Sequence, residues 1–343
     1  MASTTTEQTA IEEIGPGQFR SVYNPGRMGN AKPIAYGGCT LGVAVRAAYA
    51  AAVPPTHRLY SLVGHYLGPA STTEPLVCTV HDTRTTKSFA TRRVVVQQAQ
   101  PTATTTNGEQ TQMRTCMELI ADFHAEGPAA PGMTYSTTPS RAYAGPGAQS
   151  EIPAVLTTVL SAAEEAVVAR SRDVFGLNER FLETRPCREG VAAQNLNGIL
   201  KARPTTQDAL PLADRTSAEW VRNKTPLESP ADHAAALAFC LDGGLSFVPL
   251  THDHGWLTDV AACSSLDFAL RVMAPRPDFN RWHLRERRTI VGGAGRTYSE
   301  GRMWDEEGNL VAVMSQQSIM RAKRGKRRER RRRRGCETTP NMP

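Results

Sequence analysis

Two stretches of this 343-residue chain read as helices with no face left for water, and that restricts what can be built around them. The first, predicted over residues 37–53, runs through Gly37, Gly38, Cys39, Leu41, Val43, Ala44, Val45, Ala47 and Ala48, and Pro54-Pro55 ends it. The second opens at Asp232-His233 and continues through Ala234, Leu237, Ala238 and Phe239. Small and apolar residues nearly all round mark a helix enclosed by other structure, not one lying on a surface. Each helix is followed by strand-like segments: 58–67, 76–83, 88–98 and 113–124 after the first, and 262–273, 282–291, 295–305 and 310–320 after the second. Leu59 to Pro69 and Ser265 to Pro275 echo each other as strands that end in a proline at the same offset. One small-residue helix and four antiparallel strands, given twice, predict an α+β chain. Two antiparallel sheets would each wrap around a central helix, as an internal pseudo-dimer. By pattern alone, an unrelated pair of α+β domains would look similar.

The remaining chain divides around these units. Residues 1–17 are Thr- and Glu-rich and are expected to be disordered. The first unit, 18–125, begins with an extended piece at 19–23 and a turn at Asn24-Pro25-Gly26, and holds a polar hairpin loop at 101–112. Residues 126–175, rich in Pro, Gly, Ser and Ala, read as a linker with a helix at 152–170. The second unit, 176–322, has extended segments at 181–187 and 192–203 before its helix, and 323–343 form a basic disordered tail.

The formal charge of +7 suggests a polyanion-binding protein until the charges are located. Residues 322–343 hold ten Lys and Arg against Glu329 and Glu337, a local +8, which leaves the first 321 residues at −1. The tail has no aromatic residues for base stacking, so nucleic acid is not expected as a partner except through salt-dependent attraction to that tail. The longest apolar run, Leu41 to Val53, is too short to span a bilayer, and Met1 to Thr9 lacks the pattern of a secretory signal. Seven scattered cysteines without a C-x-x-C pair fit a reducing compartment and no zinc site. A cytoplasmic location is expected. Peroxisomal import would lack the Ser-Lys-Leu type of address, since the chain ends Asn341-Met342-Pro343, and nuclear targeting by the tail stays open.

Some blocks are specific enough to compare with a family. Tyr36-Gly37-Gly38, then Leu59-Tyr60-Ser61 with His65-Tyr66-Leu67-Gly68-Pro69, then Ser88-Phe89-Ala90-Thr91-Arg92-Arg93-Val94, resemble the N-terminal half of the acyl-CoA thioesterase II family. In the second half Leu182-Glu183, Arg185-Pro186, the helix with Asp242, Ser265-Leu266-Asp267 and Gln316 follow the family's order, so the resemblance covers about 18–322. It implies a double hotdog fold and hydrolysis of an acyl-CoA to free acid and CoA, with no metal or redox cofactor and with a dimer of double units. The family's constellation is an Asp in the second helix, a Ser or Thr two residues before a strand Asp, and a Gln in the final strand. These positions fall on Asp242, Ser265 and Gln316. A thioester is an activated acyl group, so an oriented water, a carboxylate to take its proton and donors for the oxyanion suffice. Asp242 would then be the base, with Ser265 and Gln316 holding the water. The halves aligned by their proline-ended strands set Leu59 against Ser265, and the final strands set roughly Ala121 against Gln316, so only the second half carries the polar groups.

Each residue also has a plain reading: Asp242 as a polar helix end, Ser265 as a strand hydroxyl, Gln316 on a solvated face. Two departures from the family stand near the site. The family's His after the strand Asp is Phe268 here, which predicts a reshaped acyl pocket, and Gly243-Gly244 predicts that the helix ends or bends at Asp242. His252 and His254 lack a third metal ligand at useful spacing, and Gly292-Gly293-Ala294-Gly295 reads as a hairpin turn, not a phosphate loop. No G-x-S-x-G elbow is present, and Cys240 reads as a small core residue. Two other readings remain: a dehydratase or hydratase acting on an acyl thioester, and a catalytically silent hotdog scaffold.

Overall fold

The computed structural model describes residues 1–29, 32–51, 53–101, 111–127 and 132–323. The first half comprises α1 (Thr5–Gln8), β1 (Ile11–Gly15), β2 (Gln18–Ser21), α2 (Gly37–Ala50), β3 (His57–Tyr66), β4 (Val77–Thr85), β5 (Phe89–Pro101) and β6 (Thr111–Ala125). The second half comprises α3 (Ala162–Phe181), β7 (Leu182–Pro186), α4 (Val191–Asn195), β8 (Ser217–Asn223), α5 (Pro230–Asp242), α6 (Val248–His252) and β9 (Val260–Ser265). It closes with β10 (Asp267–Val272), β11 (His283–Gly293), β12 (Arg296–Asp305) and β13 (Leu310–Ala322).

Helices α2 and α5 are buried on nearly every side, as their composition requires. They run antiparallel and close together: a Cβ on Gly38 would lie 2.6 Å from the Phe239 carbonyl oxygen, and Arg46 further along α2 pairs with Asp232 at the start of α5. Only glycine permits that approach at position 38. Ser229 caps α5 in a reciprocal arrangement with Asp232, and Pro230 occupies the first turn, where its missing N–H costs nothing.

Around this pair the strands form one antiparallel path in the order β1-β2-β4-β5-β6-β3-β10-β13-β12-β11-β8-β7, with β9 added onto β13. The two sheets of the double hotdog are thus joined edge to edge where β3 pairs β10, with Val63 opposite Ala269. One apolar cluster runs through both halves, from Leu41, Leu62, Leu119 and Phe123 to Leu237, Leu241, Leu270 and Met314. Each such side chain contributes roughly 1.5–3 kcal/mol on burial.

Several expectations are corrected. Residues 1–17 are folded, not disordered: Thr4 caps α1, the Thr5 hydroxyl donates to Asn223 Oδ1 at 2.6 Å, and β1 pairs β2. Threonines that read as low complexity are used as caps and buried donors. The expected helix at 152–170 is instead a short 3-10 turn, Ala154–Thr157, and then α3, which starts later because Ser161 and Glu164 form the capping box. The expected extended segment at 192–203 holds most of α4 and turns, with Leu196 and Asn197 at positive φ. Strand β8 was not anticipated. The linker is fastened to the second half, where Tyr143 donates to Glu286 at 2.7 Å and Trp220 Nε1 donates to the Ala144 carbonyl. Residues 324–343 of the basic tail lie outside the described residues.

Candidate functional site

Asp242 is the last residue of α5, and its carboxylate faces the first turn of α2. Space there is tight, since a Cβ on Gly37 would stand 2.9 Å from Asp242 Oδ2. The helix ends where the two glycines predict. Gly243 is its C-cap and Gly244 takes φ +87°, a left-handed conformation that glycine adopts without strain. A side chain at Gly244 would collide with the Arg287 guanidinium.

The three candidate residues come together in one hydrogen-bonded chain. Gln316 Nε2, on β13, donates to Asp242 Oδ1, and the Ser265 hydroxyl, at the end of β9, donates to Gln316 Oε1 at 3.1 Å. Gln316 is fully buried, on the helix-facing side of its strand, which excludes the plain reading of a solvated glutamine. A break between β9 and β10 sets Ser265 in place: Asp267 Oδ1 accepts the Gln317 backbone N–H at 3.0 Å, and Leu266 N–H donates to the Gln317 carbonyl.

A fourth residue joins them. The Tyr66 hydroxyl, from the end of β3 in the first half, donates to Asp242 Oδ1 at 2.8 Å, and its ring tilts against Phe268 at 5.2 Å. In the sequence Tyr66 stands only as one member of the strand block His65-Tyr66-Leu67-Gly68-Pro69. The hydroxyl was the available clue, but nothing in one dimension connects it to a helix end 176 residues away.

Electrostatically the carboxylate is poised between two demands. Burial, with the residue 6% exposed, pushes the Asp242 pKa up to about 6, against hydrogen bonds from Tyr66, Gln316 and the Gly38 backbone N–H that favour the anion. Burial and the neighbouring Asp242 carboxylate hold the Tyr66 phenol well above its ordinary range, so it is a donor. Behind the helix end, Arg285 donates to the Cys240 carbonyl, and Arg285 and Arg287 share the carboxylate of Glu219. Cationic groups at a helix C-terminus offset its partial negative charge.

Other candidates are placed elsewhere. Burial pushes the Cys240 thiol up to about 11. His252 Nε2 meets Ser217 Oγ at 2.9 Å and His254 Nε2 meets Asp208 at 2.7 Å, so the two imidazoles are separately engaged. A groove of about 910 Å³ runs along β9 past Val260, Ala262 and Cys263 to Ser264, the neighbour of Ser265, with Ile34 and Val167 on its other wall. No helix among the described residues is long and apolar enough to cross a membrane.

Comparison with known proteins follows the same division into halves. Residues 24–124 match the family described as the acyl-CoA thioesterase N-terminal domain, and residues 182–320 match the acyl-CoA thioesterase C-terminal domain, together more than half of the chain. No curated protein matches the sequence. Among solved structures, an acyl-CoA thioesterase II, TesB2, from Mycobacterium marinum is 20% identical, with a TM-score of 0.63 over 94% of this chain and 100% of that one. The tesB protein of Mycobacterium avium subs paratuberculosis is 16% identical, with a TM-score of 0.61 over 93% and 99%. A hot dog protein of unknown function from Alicyclobacillus acidocaldarius is also 16% identical, with a TM-score of 0.63 over 93% and 98%. At these identities the structural likeness speaks for the double hotdog fold, and with both halves matched in sequence, the chain belongs to the acyl-CoA thioesterase family.

Proposed function

We propose that the protein hydrolyses an acyl-CoA thioester to free acid and CoA, with water as the nucleophile and Asp242 as its general base. The observation that carries this reading is the buried Asp242 carboxylate, tied to Gln316 and through it to Ser265. Water adds to the thioester carbonyl as its proton passes to Asp242, and the tetrahedral intermediate then expels the CoA thiolate, which is protonated. An Asp242 pKa near 6 makes it a stronger base than an ordinary carboxylate while leaving it ionised at neutral pH. Tyr66 and Gln316 fix its orientation, and Ser265 is the half-buried member that would meet the incoming water. The Gly38 backbone N–H at the start of α2 is given to the carboxylate, and a substrate carbonyl bound beside Asp242 would lie near the positive end of that helix.

Release of free thiol from a panel of acyl-CoAs tests this, comparing the wild type with Asp242→Asn and Gln316→Ala. Turnover untouched by both substitutions would sink the assigned site, and thiol release from no chain length would turn the assignment to a silent scaffold. A dehydratase or hydratase on this fold is disfavoured because Phe268 stands where the family has His, and no imidazole among the described residues hydrogen-bonds to Asp242. We further propose that two double units assemble into a dimer; light scattering coupled to size exclusion, showing only monomer at micromolar concentration, would exclude it.

A further inference from the structure

The face of the sheet that carries Gln316 turns polar beside the candidate site. Along β12 the helix-facing residues are Met303, Gly301, Ser299 and Thr297, and along β13 they are Ala312, Met314, Gln316 and Ser318. In register, Met303 lies opposite Ala312 and Gly301 opposite Met314; then Ser299 lies opposite Gln316, Thr297 opposite Ser318, and Ser318 opposite Ser265. Directly opposed residues have Cβ atoms about 4.5–5.5 Å apart. Two serines therefore stand one strand spacing from two members of the candidate site. Ser299 and Ser318 are each 1% exposed and Thr297 is 8% exposed, and none of their hydroxyls has a hydrogen-bond partner in the protein. On β11, Arg287 lies opposite Gly301, is buried, and leaves Nε without a partner.

Packing alone does not explain this. Alanine or valine would fill the same positions without stranding a polar atom, and a buried hydroxyl with no partner costs free energy that a hydrocarbon substrate cannot return. An oxygen on the substrate can. We infer that the acyl group carries a hydroxyl or carbonyl oxygen within the first few carbons from the thioester, bound by Ser299, Ser318 and Thr297. The inference rests on the thioesterase reading and narrows its substrate class to acyl-CoAs oxygenated near the thioester, as opposed to plain fatty acyl-CoAs. A site built to hydrogen-bond a substrate oxygen also discriminates strongly against the analogue that lacks it.

The test pairs hexanoyl-CoA with 3-hydroxyhexanoyl-CoA. Wild-type kcat/KM should favour the hydroxylated substrate by about tenfold or more. The Ser299→Ala/Ser318→Ala double variant should lose that preference, and so, in part, should the more conservative Thr297→Val. A wild type that favours the plain chain or does not discriminate overturns the inference. So does a double variant that slows both substrates by one factor, which would assign these hydroxyls to bound water. Calorimetry with non-hydrolysable thioether analogues of both substrates separates the inference from the reading beneath it. Tighter binding of the hydroxylated analogue to the wild type, lost in the variants, upholds the pocket even if neither thioester releases thiol, whereas equal affinities overturn it.

Discussion

The paired helices have two ends built on one plan with different chemistry. At one, the C-terminus of α5 meets the start of α2, and Asp242, Tyr66, Gln316 and Ser265 are linked by hydrogen bonds. At the other, the C-terminus of α2 meets the start of α5. The offset that sets Leu59 against Ser265 also sets Val272 against Tyr66, and Ala121 stands roughly where Gln316 does; all three are buried. What remains there is a cavity of about 320 Å³ lined by Tyr49, Leu59, Leu237 and Val272 together with Arg58, Glu228, His233, Arg276 and Asp278, in which the Tyr49 hydroxyl accepts the Leu59 backbone N–H at 2.9 Å. The comparison teaches that the fold does not need this particular cluster, since at its other end the positions matching Tyr66, Ser265 and Gln316 are apolar and the buried carboxylate, Asp232, is neutralised by Arg46. A buried carboxylate kept at a raised pKa is a cost to the fold, and it points to chemistry.

The largest effect expected from disturbing this contrast is at Asp242. Asp242→Asn should lower kcat by about 10²–10⁴-fold in a thiol-release assay, the range for removing a general base. It should not lower stability at neutral pH. A carboxyl with a folded-state pKa near 6 holds its proton more tightly than the unfolded chain does, so stability from this group is lost as pH rises from about 4 to 6 and the full penalty persists above that. The wild type therefore gains stability from this group as pH falls through 6. Melts should show the Asp242→Asn variant at least as stable as the wild type at pH 8, by no more than about 3 kcal/mol, with the gap narrowing below pH 6 and closing only near pH 4.

Gln316→Ala follows, with an expected loss of about 10–100-fold in kcat, since it removes one donor to the carboxylate and the link to Ser265. Tyr66→Phe keeps the ring and deletes one bond that favours the ionised carboxylate, so kcat should fall by about tenfold or less. The acidic limb of the pH–rate profile should move to higher pH, and an unmoved limb would mean that Tyr66 only packs. At the other end, Val272→Ala should cost about 1–2 kcal/mol in a denaturant titration and leave kcat/KM unchanged. Smallest of all, removing residues 324–343 should leave thiol release at its wild-type rate and alter only salt-dependent binding to polyanions.

What could be read from the chain followed the physics that acts locally. Residues 37–53 and the helix opening at Asp232 were legible because burial on all sides demands small apolar residues throughout, a pattern visible without partners. The strands from 58–67 to 310–320 showed by composition and by the turns between them. Strand β8 did not, because Glu219 interrupts its apolar run, and that glutamate is a counterion for Arg285 and Arg287 from β11. The break at Leu266 was hidden for a similar reason, since it is set by a bond from Gln317, fifty residues away, to Asp267. Asp242, Ser265 and Gln316 were found through resemblance, not spacing. Tyr66 and the hydroxyls of Ser299 and Ser318 were missed because cross-strand register decides whom they face.

The bond from Tyr66 to Asp242 spans the seam between β3 and β10, so the site exists only while the two halves hold each other. A folded chain nicked once at 150–160 would keep every backbone bond of that seam, together with the grip of Tyr143 and Ala144 on the second half. Turnover should survive the cut and vanish only when the fragments are drawn apart, which would make catalysis a gauge of cohesion between two halves that no longer share a chain.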